Sequence, residues 1–124
     1  MKLGIKEGSK VCTVAAPKNY LELVSPLPPG ATVRARVSGD ADLVHLFVKD
    51  KPILARQLKG LRATLKPDAA IWVSWPKRSS KVPTDITEDT IREIALRLGF
   101  VDVKVCAVTD VWSGLRLVVR KELR

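Results

Sequence analysis

The residues best suited to chemistry lie in one short run, Trp75-Pro76-Lys77-Arg78-Ser79-Ser80-Lys81. Three cations with two small hydroxyls among them match what a phosphate or carboxylate takes, which is charge-assisted donors converging from several directions. An apolar stretch precedes the run and an amphipathic one follows it. It therefore reads as a loop at a strand's carboxyl end, where open α/β sheets bind their ligands. The opposing reading is a solvated loop, because Asp85, Glu88 and Asp89 already bring negative charge to the start of the following helix, where an anion would gain most.

The other reactive side chains form no recognisable catalytic set. The single histidine, His45, alternates with Leu43 and Phe47 and has no second histidine or cysteine at ligand spacing. A lone imidazole makes neither a triad nor a metal site, so it reads as a core residue. Cys12 and Cys106 lie in strand-like runs rather than a CxxC pair and read as free core thiols. Neither a phosphate-binding P-loop nor a glycosidase-like acid pair is present. Trp72 and Trp75 are three apart in one strand and face opposite sides, so they form no stacking platform; Trp75 and Trp112 are candidates to line a pocket.

The elements that must position these residues follow from periodicity and punctuation. Lys10–Ala16 is a short, mostly apolar run ended by Pro17, suited to a buried first strand. A short helix over 18–24 is stopped by Ser25-Pro26-Leu27-Pro28-Pro29-Gly30. Val33, Ala35 and Val37 alternate with Arg34 and Arg36, as in a half-exposed edge strand. Leu43–Val48 and Ala69–Trp75 are apolar strands of the kind covered on both faces. Between them Ile53, Leu54, Leu58, Leu61 and Leu65 recur at helical spacing, which implies a parallel pair with a right-handed crossover.

A second helix starts at Thr87 with Ile86 and Ile91 as a hydrophobic staple, and Gly99 stops it. Val101–Val108 and Leu115–Arg120 are alternating strands whose short connection favours an antiparallel hairpin. The expected fold is α/β, a three-layer sandwich with a mixed, mainly parallel Rossmann-like sheet and an antiparallel C-terminal hairpin. A chain of 124 residues forms one domain, 1–124, with no internal boundary.

Twenty-two Lys and Arg against 13 Asp and Glu give a formal charge of +9, spread along the chain rather than gathered in a block. Such a field favours acidic or phosphate-bearing partners. Nucleic-acid binding through this surface would be weak, nonspecific and steeply salt-dependent. Aromatic residues at 5% argue against a single-strand stacking surface. No apolar run is long enough to cross a bilayer and the first residues carry no apolar leader, so the expectation is a cytoplasmic protein without membrane partners.

The passage from Asp42-Leu43-Val44-His45-Leu46-Phe47 through the amphipathic helix to Leu65-Lys66-Pro67-Asp68-Ala69-Ala70-Ile71-Trp72-Val73-Ser74-Trp75-Pro76, together with the closing hairpin, resembles class I S-adenosylmethionine-dependent methyltransferases. The chain as a whole also resembles a family of small bacterial proteins catalogued as domain of unknown function 3052. Trp75-Pro76-Lys77 and the segment from Cys106-Ala107-Val108 to Trp112-Ser113-Gly114-Leu115-Arg116-Leu117 carry that second resemblance. The methyltransferase resemblance implies S-adenosylmethionine as cofactor and a glycine-rich loop after the first strand. Here that loop is Ala15-Ala16-Pro17-Lys18-Asn19-Tyr20, without glycine. It also implies an acid facing adenine in the Gly39-Asp40-Ala41 stretch, where Asp40 alternatively serves as an ordinary turn residue. Four residues, 38–41, are too few for an ordinary parallel crossover, so the flanking strands form a hairpin or the first is short and peripheral.

The expected ligand site gathers Ala16, Lys18, Asn19, Tyr20, Asp40, Trp75, Lys77, Arg78, Ser79, Ser80 and Lys81, with no catalytic residue and no metal ligand. The leading functional expectation is a noncatalytic module that binds a small anionic ligand or a protein partner. The rivals are an active S-adenosylmethionine-dependent methyltransferase and a weak nucleic-acid binder.

Overall fold

Leu43–Phe47 and Ala70–Pro76 are buried at every position, the mark of strands covered on both faces. The computed structural model describes residues 3–124. Its elements in order are β1 (Lys10–Val14), α1 (Tyr20–Val24), β2 (Thr32–Arg34), β3 (Leu43–Phe47), α2 (Lys51–Thr64), β4 (Ala70–Pro76), α3 (Glu88–Arg97), β5 (Phe100–Ala107) and β6 (Trp112–Val119). They build one six-stranded sheet of order β2-β1-β3-β4-β6-β5. The first four strands in that order are parallel; β6 runs antiparallel to β4, and β5 antiparallel to β6. The expected α/β sandwich with its closing hairpin is the observed architecture.

Alternation divides the side chains between two faces. Val44, Leu46, Ile71, Val73, Leu115 and Leu117 point to the face covered by α2 and α3, where Leu54, Leu58, Leu61, Ile91 and Ala95 complete the larger core cluster. Both helices present apolar stripes at i, i+3 and i+4 spacing. The side chain of Thr87 accepts from the Thr90 amide at 3.2 Å, and Gly99 at φ 91° ends α3 in the left-handed conformation that glycine adopts without cost. Leu43, Phe47, Ala70 and Trp72 point to the other face, which α1 and the segment around Leu3 cover.

β2 is shorter than the alternation of Val33, Ala35 and Val37 predicts. It pairs only with Lys10–Cys12 of β1, and residues 35–42 return to β3 without a helix. Eight residues suffice because β2 ends halfway along β1. Val37 packs against the α2/α3 cluster instead of extending the strand, and Ser38 Oγ lies 3.9 Å from Cys12 Sγ on that face. The short, peripheral alternative is thus the observed one. Cys12 and Cys106 are free thiols. Among the described residues no helix is long and apolar enough to cross a membrane.

Candidate functional site at the carboxyl edge of the sheet

From β1 the chain first moves outward to β2 and then returns to β3 on the other side of β1. The carboxyl ends of β1 and β3 therefore flank a topological switch point, the position at which open α/β sheets hold ligands. After β1 the loop turns sharply at Ala15, whose φ of 56° is unusual for a residue with a Cβ. Ala16 packs against the α1-face cluster, while Lys18 and Asn19 are exposed. After β3 come Lys49 and Asp50, both exposed.

Two cavities lie along this edge. One, of about 320 Å³, is bounded by Pro17, Asn19, Leu23, Asp110 and Trp112. The other, an open cleft of about 490 Å³, is lined by Trp75, Arg78, Lys81, Pro83, Ile86 and Glu88. The basic run folds as a defined turn between them. Arg78–Ser80 make one turn of 3₁₀ helix, the Ser80 hydroxyl donates to the Lys77 carbonyl at 2.6 Å, and Lys81 adopts φ 61°. The Lys77 amide donates to the Val111 carbonyl at 2.7 Å, which joins the turn to the hairpin. Among the described residues Lys77, Arg78 and Lys81 enter no ion pair, whereas Glu88, the acid on the larger cavity, is paired with Arg92 at 2.5 Å. The electrostatic balance inside that cavity is consequently positive.

The far wall is built by long-range bonds that no local pattern announces. The Thr84 hydroxyl donates to the Lys49 carbonyl at 2.6 Å, and the Asp85 carboxylate accepts from the Lys51 amide at 2.7 Å. Asp85 thus serves the N-terminus of α2, not that of α3, and the segment 82–86 is strapped across the end of β3.

Not all of the expected site residues converge. Trp75, Lys77, Arg78, Ser79, Ser80 and Lys81 share the end of β4, and Ala16, Lys18 and Asn19 share the end of β1. Asp40 lies at the opposite, amino edge of the sheet. It accepts from Lys10 Nζ at 2.6 Å and from the Ser38 hydroxyl at 2.6 Å, bonds that hold its carboxyl down at about 2. Its surroundings are those of a turn residue. Tyr20, the first residue of α1, turns its side chain into the core, where its hydroxyl meets His45 Nδ1 at 2.9 Å, and burial raises its pKa above the ordinary range.

His45 Nε2 in turn meets Ser74 Oγ at 2.6 Å, so a hydrogen-bonded chain Tyr20–His45–Ser74 crosses from α1 through β3 to β4. All three side chains are enclosed, with His45 and Ser74 at 0% exposure. Burial drives the imidazole pKa down to about 3, so His45 is neutral at pH 7. Phe47 stacks on the imidazole at 4.3 Å, and Trp112 meets Phe47 edge-on at 5.1 Å, closing the roof. Enclosed in this way, the hydrogen-bonded chain ties α1 to the two central strands.

No family model and no curated protein matches the sequence. Solved structures do match the fold. A SAM dependent methyltransferase from Aquifex aeolicus superimposes with a TM-score of 0.68 and 16% identity over 94% of this chain and 85% of that one. The mitomycin 7-O-methyltransferase MmcR gives 0.69 and 11% identity over 90% of this chain, which spans about half of that protein, 49%. The tRNA methyltransferase TrmK of B. subtilis gives 0.65 and 12% identity, with coverage of 94% and 62%. The fold is methyltransferase-like.

The cofactor implied by that fold can be tested against the residues present. A nucleotide-binding turn uses glycines so that backbone approaches the ligand closely, and an acid about 20 positions on receives the ribose hydroxyls. Here Ala15, Ala16 and Pro17 fill the turn with side chains, and α1 is only five residues long. The stretch at that separation, Thr32-Val33-Arg34-Ala35-Arg36, carries two arginines and no acid. The residues at the switch point do not fit S-adenosylmethionine in the manner of a glycine-loop site.

Proposed function

We propose that this chain is a noncatalytic ligand-binding module on a methyltransferase-like scaffold, and that its ligand is a small anion-bearing molecule held at the carboxyl edge of β4. The observation that carries this reading is the 490 Å³ cavity whose lining brings the cations Arg78 and Lys81, in no ion pair among the described residues, together with Trp75 and Ile86. An apolar wall with a few convergent charged groups is the usual composition of a small-ligand site. Lys77, Lys49 and Lys51, exposed or half-exposed nearby, add to the positive field that draws an anion to it.

Amide chemical shifts followed during titration with pyrophosphate test it. The expected result is saturable shifts in the 75–88 segment that weaken with salt and vanish when Lys77, Arg78 and Lys81 are all changed to Glu. Shifts of equal size in the triple variant contradict the assignment.

A second reading, an S-adenosylmethionine-dependent methyltransferase, is favoured by the likeness to methyltransferases of known structure. It requires the cofactor to lie on the Ala15-Ala16-Pro17 turn despite its side chains. Transfer of a labelled methyl group from S-adenosylmethionine to any acceptor supplied by a cell extract supports it, and absence of cofactor binding removes it.

A further inference from the structure

We propose a second ligand site at the amino edge of the sheet, built around Arg116 and suited to a small zwitterion that carries a carboxylate and an ammonium group, such as a free α-amino acid. The cavity measures about 310 Å³ and lies at the end of the sheet opposite the one considered above. Leu43 and Ala70 form its floor, and Lys6, Glu7, Asp68 and Arg116 lie around it.

Arg116 is placed by the fold and left without an acidic partner. It stands opposite Trp72 in the β4–β6 ladder, and Gly4 passes over its guanidinium, where a Cβ at position 4 would make ordinary contact 3.5 Å from Nη1. Gly4 itself has φ 78°. The indole of Trp72 fixes that crossing by donating to the Leu3 carbonyl at 2.8 Å. Arg116 Nε is shielded from solvent and has no hydrogen-bond partner among the described residues, and Arg116 enters no ion pair there. A shielded guanidinium nitrogen without an acceptor is an uncommon expense in a folded protein. The terminal nitrogens Nη1 and Nη2 are not shielded in this way and make no hydrogen bond among the described residues, and a carboxylate received end-on through two parallel bonds supplies the guanidinium's missing partner.

Charge selects the rest of the ligand. Asp42, the third acid on the cavity, is already satisfied by Lys66 Nζ at 2.5 Å and by the Lys10 amide at 2.8 Å. Lys6 and Arg116 then face Glu7 and Asp68, which form no ion pair among the described residues. Two positive and two negative groups around one small cavity leave no net field that favours a simple dianion or a simple cation. A molecule with both charges satisfies both sides, its carboxylate on Arg116 and its ammonium on Asp68.

The test is a titration of the isotope-labelled full chain with each common α-amino acid, with sodium acetate and methylammonium chloride as single-charge controls. The expected result is saturable movement of the Gly4, Gly8 and Ala70 amide signals by at least one amino acid, at least tenfold tighter than by either control. Affinity should fall at least tenfold in both Arg116→Gln and Asp68→Asn. Asp68 is exposed, so its variant keeps the test valid if Arg116→Gln does not fold. No saturable shift, equal shifts from acetate alone, or binding unchanged in Asp68→Asn overturns the proposal.

Discussion

The two faces of the sheet are stabilised by different means. On the α2/α3 face nearly every contact is aliphatic, and the helices lie where their leucine and isoleucine stripes direct them. On the other face a five-residue helix has too few apolar positions to hold itself. Aromatic rings and the Tyr20–His45–Ser74 chain take over that task. The first kind of cohesion is indifferent to pH and written in local periodicity. The second depends on a neutral imidazole and on partners far apart in sequence.

The largest expected effect breaks the aliphatic face. Leu54 is fully buried, and Leu54→Ala should cost about 2–5 kcal/mol through lost burial and the cavity left behind. Urea unfolding should give the same loss at pH 7 and pH 5, because no titrating group is involved.

The other face should respond to pH. The folded chain holds the His45 pKa at about 3, below the unfolded value near 6.5. Between those values the unfolded chain binds a proton that the folded chain refuses, so stability is complete above pH 6.5 and declines as pH falls toward 3. The full loss is at most ~5 kcal/mol. The difference in unfolding free energy between wild type and His45→Gln, measured from pH 7.5 to 4, isolates it from the carboxylates. A flat difference would mean that the imidazole is solvated.

Tyr20→Phe sharpens the comparison further. It leaves His45 Nδ1 buried without its partner, at an expected cost of roughly 1–3 kcal/mol. Faster hydrogen exchange should be confined to α1, with α2 and α3 unchanged. At the small end, Thr87→Ala removes the cap of α3 and should lower stability by about 1 kcal/mol in thermal or urea unfolding.

How much was legible in the sequence follows the same division. The central strands, α2, α3 and the closing hairpin could be read because each carries its own period or cap. Alternation extends β2 to Val37 although the strand ends at Arg34, since alternation cannot distinguish a strand residue from one that packs on a crossing link. His45 was readable as a core residue, but its bonds to Tyr20 and Ser74 span 25 and 29 positions and leave no local trace. For the same reason the sequence places Tyr20, adjacent to the loop after β1, with a surface site that it does not join. At the candidate site the basic run and Trp75 were legible from composition. The wall formed by residues 82–86 was not, because Thr84 and Asp85 are fixed by bonds to Lys49 and Lys51 more than 30 positions away.

Calorimetric titration with S-adenosylmethionine and S-adenosylhomocysteine, on wild type and on Arg116→Gln, tests the central claim most directly. The account predicts no saturable heat and no thermal stabilisation in either protein, because the turn after β1 has side chains where a nucleoside cofactor needs glycine. Saturable binding near one ligand per chain that persists in Arg116→Gln would contradict it.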